Sequence, residues 1–194
     1  SQGLTEAIMR IIGGRLKGRS LKAPTDYSVR PTSDRLRETL FNILMHAYED
    51  PVTDARVLDL FAGTGALGLE ALSRGARFAQ FVDDSAQGRG LLRANIESLG
   101  VAAQTKIFRR DATRMGQVHP HDPFSLIFCD PPYLKGLGEQ ALASAAQGGW
   151  FTDQALIVFE ESSKADLTVP AGLSLLEKRD FGETHIVFLK ASPV

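Results

Sequence analysis

Asp59-Leu60-Phe61-Ala62-Gly63-Thr64-Gly65-Ala66-Leu67-Gly68 is the stretch that decides the fold. The run 56–61 ahead of it reads as a strand, and residues 67–73 behind it recur at helical spacing. The glycines let backbone approach a ligand with no Cβ in the way. The start of the following helix offers unpaired N–H groups to polar ligand atoms. Asp83 lies twenty residues after Gly63, at the end of the next strand signal. A carboxylate there can accept the hydroxyls of a ribose. Read alone, the pattern also fits a dinucleotide site, and a hydride-transfer enzyme stays open. Asp59 leans against it. A carboxylate before the turn sits badly beside a pyrophosphate and well beside an ammonium or sulfonium group.

Downstream, strand and helix signals alternate. Strands are expected over 78–83, 105–109, 125–129 and 155–159, with helices over roughly 86–98 and 139–146. Runs 173–178 and 184–189 are joined by too few residues for a helix, so they should pair antiparallel. This pattern describes an α/β fold, an open and mainly parallel sheet with helices on both faces.

Asp130-Pro131-Pro132-Tyr133 follows the strand over 125–129. In an open α/β sheet, ligands bind at the carboxyl ends of strands. Two prolines stiffen the loop and remove two backbone donors. Asp130 and the Pro131 carbonyl can accept from an exocyclic amine, and Tyr133 offers a face for an extruded base. An amine whose lone pair is delocalised into a base ring needs such acceptors when it attacks a methyl donor. Asp111, followed by Ala112, ends the strand that begins at 105. It reads equally as an acceptor for an adenine amino group or as a turn cap. Glu160 and Glu161 end the strand over 155–159 near the rim of the cleft, where they read as a solvated strand end ahead of a part in shaping the site. Cys129 reads as a packing residue, and the four histidines lack metal-site spacing, so no metal is expected.

The N-terminal region reads differently. A short strand from Met9, turns at Gly13-Gly14 and Gly18, and a return over 19–21 make a hairpin. A helix should open near Ser33 or Asp34, with Leu36, Leu40, Ile43 and Leu44 at helical spacing. Residues 1–40 carry eight Lys or Arg against four Asp or Glu, while the remainder carries fourteen against nineteen. A basic extension over residues 1–50 beside a more acidic core over 51–194 is therefore expected. Arg10, Arg15, Lys17, Arg19, Lys22, Arg30, Arg35 and Arg37 are the candidate nucleic-acid contacts.

The whole chain of 194 residues suits one domain, and its net charge of −1 by itself says nothing about partners. No apolar run reaches membrane-span length, no signal peptide is visible, and a single Cys fits a reducing compartment. A soluble cytoplasmic protein is expected.

With these residues in view, the chain resembles the RsmD family of bacterial 16S ribosomal RNA guanine-N2 methyltransferases. Arg10-Ile11-Ile12-Gly13-Gly14 with Gly18-Arg19 resembles that family's opening hairpin. Arg30-Pro31-Thr32, Asp34-Arg35 and Arg37-Glu38-Thr39-Leu40-Phe41-Asn42 resemble its helix-start signature. Residues 58–77 resemble its cofactor motif and Asp130–Tyr133 its catalytic motif. The resemblance implies a Rossmann-like, seven-stranded methyltransferase core with an antiparallel last strand, preceded by the hairpin and helix. It implies S-adenosylmethionine as donor, with Asp59, Phe61, Ala62, Gly63, Thr64, Gly65, Asp83, Asp84, Asp111 and Ala112 as the cofactor-binding residues. It implies methylation of one guanine of 16S rRNA, within small ribosomal subunits or their late assembly intermediates. Asp83 stands where the family usually has Glu, so the neighbouring Asp84 competes for the ribose. Small residues over 85–90 suggest that the helix after Asp84 starts late. The rival readings are an adenine-N6 methyltransferase on DNA or RNA, an NAD-linked oxidoreductase, and a non-catalytic RNA-binding assembly protein.

Overall fold

The computed structural model describes residues 9–24 and 32–192. Arg30 and Pro31 lie outside the described residues. Two short strands, β1 (Met9–Arg10) and β2 (Ser20–Leu21), pair antiparallel as a separate ribbon. Helix α1 (Asp34–Ala47) follows, and the Ser33 side chain caps it by accepting from the Leu36 N–H. Then come β3 (Arg56–Leu60), α2 (Ala66–Ser73), β4 (Phe78–Val82), α3 (Ala86–Leu99), β5 (Thr105–Phe108), β6 (Phe124–Cys129), α4 (Leu137–Gln147), β7 (Phe151–Ser162), β8 (Leu173–Phe181) and β9 (Thr184–Ala191).

Strands β3 to β9 form one sheet in the order β5-β4-β3-β6-β7-β9-β8. Neighbours among β3 to β7 run parallel, and β9 pairs antiparallel with both β7 and β8. The last strand is thus inserted between two that precede it in the chain, and it runs antiparallel, as the resemblance implied.

Alternation along the strands divides the core in two. Val57, Phe81, Phe128, Val158 and Phe188 face one cluster with Leu40 and Phe41 of α1, Leu69 of α2 and Leu92 of α3. Their neighbours Leu58, Val82, Ile127, Ile157 and Val187 face the other, with Ala141 and Leu142 of α4 and with Trp150. Helices therefore cover both faces. Met9, Ile11, Leu16 and Leu21 of the N-terminal hairpin belong to the first cluster. Among the described residues, no helix is long and apolar enough to cross a membrane.

Two expectations need correction here. Helix α3 begins at Ala86, not late, with Ser85 as its cap accepting from the Gly88 N–H at 2.9 Å. The small residues serve this start. A Cβ on Gly88 would lie 2.6 Å from the Ser85 hydroxyl and 2.8 Å from the Asp83 carboxylate. Strand β7 also runs beyond the expected 155–159, so Glu160 and Glu161 lie inside it and are buried.

Candidate active site

The parallel strands β3, β4, β5 and β6 end on one side of the sheet, and their trailing loops enclose a cavity of about 620 Å³. That is within the range for a small-molecule cofactor. All the cofactor candidates except Gly65 line it: Asp59, Phe61, Ala62, Gly63, Thr64, Asp83, Asp84, Asp111 and Ala112. The whole tetrapeptide Asp130–Tyr133 joins them. Two motifs 67 residues apart in sequence therefore open into one space.

The glycine turn is built by backbone. Phe61, Gly63 and Gly65 have φ of 58°, 56° and 80°. Gly65 stands at the cap of α2, and a Cβ there would lie 2.4 Å from Leu92. It lets the start of α2 pack closely against α3. The Gly63 N–H donates to Asp83 Oδ2 at 2.9 Å, while the Ser85 N–H and hydroxyl donate to Asp83 Oδ1, each at 2.8 Å. Three of the roughly four acceptor positions of the Asp83 carboxylate are thus engaged. Asp84 is exposed beside it.

Asp59 is buried in the cavity wall, where it accepts from the Gly68 N–H in the first turn of α2 at 3.0 Å. Burial pushes its carboxyl up to about 8, opposed by the Gly68 hydrogen bond and reinforced by Asp83. Asp111 behaves oppositely. It accepts from the Thr113 hydroxyl at 2.7 Å and the Thr113 N–H at 2.9 Å, and these bonds hold its carboxyl below the usual range. Asp111 is therefore a turn cap that also faces the cavity. Cys129 is buried, and burial raises its thiol well above the usual value, so it is a packing residue.

In the Asp130–Tyr133 loop, Pro131 is buried and Pro132 exposed. Asp130 Oδ2 accepts from the Thr32 hydroxyl at 3.0 Å. The Tyr133 hydroxyl donates to Glu160 Oε1 at 2.9 Å and lies 2.7 Å from Thr184 Oγ1. Glu161 accepts from the Leu134 and Ser162 N–H groups at 3.0 and 2.7 Å. The two glutamates expected in solvent thus brace the loop from inside strand β7. Thr32, Ser85, Arg110 and Thr113 also line the cavity and had no role assigned from sequence. Thr32 carried a signal, since it sits in the helix-start signature. Arg110 carried none. Its guanidinium is held by the Met115 carbonyl at 2.7 Å and by the Phe108 ring at 5.0 Å.

The basic residues divide. Arg10, Arg15, Lys17, Arg19, Lys22 and Arg35 are exposed. Arg37 is not. It is fully buried, donating to Glu70 Oε1 at 3.0 Å, to Asp34 Oδ1 at 2.9 Å and to the carbonyls of Thr32 and Arg10. All its donor groups point into the protein, which removes it from the candidate RNA contacts. Among the described residues, no group of three or more His, Cys, Asp or Glu is placed to hold a metal ion.

Residues 9–190 match the family model described as "Conserved hypothetical protein 95". Ribosomal RNA small subunit methyltransferase D of Escherichia coli strain K12 is 40% identical over 177 residues, covering 90% of this chain and 86% of that protein. This chain belongs to the RsmD family. The Haemophilus influenzae protein of the same name is 34% identical over 178 residues, covering 90% and 89%. The solved structure of yhhF from Escherichia coli superposes with a TM-score of 0.80 at 35% identity, covering 95% of this chain and 98% of that one. The RsmD-family chain described here is accordingly an S-adenosylmethionine-dependent methyltransferase. Its residues fit the donor. The glycine turn brings backbone to the cavity edge, and a carboxyl group stands in the wall on either side of it, Asp59 before the turn and Asp83 after it.

Proposed function

We propose that this RsmD-family protein transfers a methyl group to the exocyclic N2 of one guanine in 16S rRNA, within the small ribosomal subunit or a late assembly intermediate. The observation that carries the reading is the shared cavity: the rigid Asp130–Tyr133 loop opens into the same space as the glycine turn and Asp83. The names of the Escherichia coli and Haemophilus influenzae relatives, small subunit rRNA methyltransferases, supply the substrate class.

Bound in that cavity, S-adenosylmethionine supplies an electrophilic methyl on a sulfonium. The residues of the chain do the remainder. Asp130 and the Pro131 carbonyl accept from the amine hydrogens, which favours the positive charge that grows on nitrogen as the N–C bond forms in place of the methyl–sulfur bond, and one of those hydrogens then leaves the nitrogen as a proton. The Tyr133 ring offers the base a stacking face, and its hydroxyl, anchored on Glu160, fixes the ring's tilt. Asp83 and Asp84 compete for the ribose. With Asp83 already holding Gly63 and Ser85, the exposed Asp84 shares that contact.

The test is methyl transfer from labelled S-adenosylmethionine to undermethylated small subunits, followed by nucleoside analysis of the 16S rRNA. N2-methylguanosine is expected, and N6-methyladenosine would instead establish the adenine-directed rival. Asp130→Ala should leave cofactor affinity within a few-fold and lower single-turnover transfer by about 10²-fold or more. Near-normal turnover in that variant would remove Asp130 from the chemistry.

A further inference from the structure

We infer that Thr32, contributed by the N-terminal extension, is a positioning residue for Asp130. This rests on the reading of Asp130 as the acceptor for the attacking amine. Thr32 is buried, 5% exposed, yet its hydroxyl reaches the wall of the cavity. Its Oγ1 lies 3.0 Å from Asp130 Oδ2 and 3.4 Å from Glu160 Oε2. A hydroxyl has one proton, and the shorter contact assigns it to Asp130. Glu160 in turn accepts from the Tyr133 hydroxyl. One buried threonine therefore sits at the junction of the two catalytic-loop side chains that meet the base.

The hydroxyl is itself held from behind. The Thr32 carbonyl accepts from Arg37 Nη1 at 3.4 Å, and Arg37 is clamped by Glu70 of helix α2. The start of α1 thus cannot shift relative to α2 without moving Thr32. α2 begins at the glycine turn. The chain of contacts Glu70–Arg37–Thr32–Asp130 ties the acceptor carboxylate to the element that carries the cofactor turn. A hydrogen bond to one carboxylate oxygen also fixes how the lone pairs of Asp130 are presented to an incoming amine. Asp130 rotates about two single bonds. Pinning one oxygen sets the direction of the other, and alignment of this kind governs rate more than affinity. Thr32 donates no proton to substrate in this account and acts only through Asp130.

The experiment is a double-mutant cycle in single-turnover methyl transfer to undermethylated small subunits, using Thr32→Val, Thr32→Ser, Asp130→Ala and Thr32→Val with Asp130→Ala. Valine preserves the shape of the buried side chain and removes the donor. Thr32→Val should lower the methyl-transfer rate constant about tenfold, with KM and S-adenosylmethionine affinity within about threefold. Thr32→Ser should recover most of the missing rate. In the Asp130→Ala background, Thr32→Val should change nothing beyond about twofold, because the group it positions is gone. A Thr32→Val enzyme at wild-type rate overturns the inference, and so does an equal tenfold loss in both backgrounds or a failure of serine to rescue. A wild-type protein that methylates no subunit, or an Asp130→Ala variant as fast as wild type, overturns the functional reading and this inference with it. Thermal melting of Thr32→Val, run alongside, separates loss of rate from loss of folded enzyme.

Discussion

Asp59 combines two properties that rarely coexist: near-complete burial and a place in the wall of a ligand cavity. Its folded pKa of about 8 lies above the usual aspartate value of about 3.9. Between those two values the unfolded chain ionises this carboxyl while the folded protein keeps its proton. Its contribution to stability is therefore full below about pH 4 and declines as pH rises towards about 8. A cationic ligand group nearby reverses the preference and favours the carboxylate. Binding of S-adenosylmethionine at pH 6.5 is thus expected to expel a proton, and Asp59→Asn is expected to expel none and to bind more weakly. Calorimetry in buffers of different ionisation enthalpy counts that proton directly. Equal release by both proteins would place the titration elsewhere. The position of Asp59 before the glycine turn was legible from sequence. Its protonation was not, because it depends on strands packing around it from both sides.

At the scale of elements, the join between the N-terminal segment and the core is concentrated on Glu70. This residue lies in α2, whose sequence Ala-Leu-Gly-Leu-Glu-Ala-Leu-Ser is buried throughout. Glu70 accepts from Arg37 Nε at 3.0 Å, from Arg74 Nε at 2.9 Å, and from the N–H groups of Ile12 and Gly13, both at 3.0 Å. Four donors on one carboxylate make a saturated buried network. Removing Glu70 takes the acceptor from the Ile12 and Gly13 N–H groups and one of its two carboxylates from the buried Arg37. Glu70→Ala is therefore expected to destabilise the protein by about 3–5 kcal/mol, the scale for breaking a buried pair from one side. The half-buried surface pair Arg179–Glu177, at 3.2 Å, should be worth about 1 kcal/mol or less. Urea unfolding of Glu70→Ala against Arg179→Ala, which leaves Glu177 on the Tyr48 hydroxyl, compares them, and equal midpoints would show that the network carries no such weight. The signal for this join lies in the sequence, in the pattern of α1. Arg37, Leu40, Phe41 and Leu44 fall on one helical face, so Arg37 shares the apolar stripe of that helix. Glu70 is the lone charge in an apolar helix. Counting charge by region puts Arg37 on the RNA surface, whereas counting by helical face puts it in the core. Glu160 and Glu161 were misplaced for a related reason. An apolar run marks only the part of a strand whose burial needs no polar partner, so β7 reads as ending where its hydrogen-bonded carboxylates begin.

On the scale of the whole molecule, the parallel sheet and its closing antiparallel pair followed from the alternation of elements, since parallel strands need crossovers and a short link forces a hairpin, whereas the strand order came from the structure. Placement of the N-terminal basic residues needed the structure. Arg15 Nη2 donates to Gln104 Oε1 at 2.9 Å, and Arg19 Nη2 donates to the Ser98 carbonyl at 2.7 Å near the end of α3. Both guanidiniums thus lie along the flank of the core rather than projecting from an independent arm. Lys22 is tied to the same helix, because its N–H and C=O bond the side chain of Asn95, which also donates to the Thr64 carbonyl of the glycine turn. Charge on the hairpin therefore belongs to a rigid surface that continues into the wall of the cavity. A rigid basic surface suits phosphate contacts, which set register and affinity while leaving identity to the base pocket. Arg15, Lys17 and Arg19 replaced together by Gln should keep S-adenosylmethionine affinity and thermal melting near wild type. Association with undermethylated small subunits should weaken, and its log–log dependence on salt should become shallower by roughly 0.7–0.9 for each phosphate that is no longer neutralised. Arg15 and Arg19 already hold protein partners, and a guanidinium with five donors keeps several for phosphate after giving one away. A slope change of about two to three is therefore expected from the triple variant, read from binding across a salt series. Equal affinity and equal slope for the two proteins would move RNA docking off the hairpin, with the exposed Arg35 of α1 as the next position to replace.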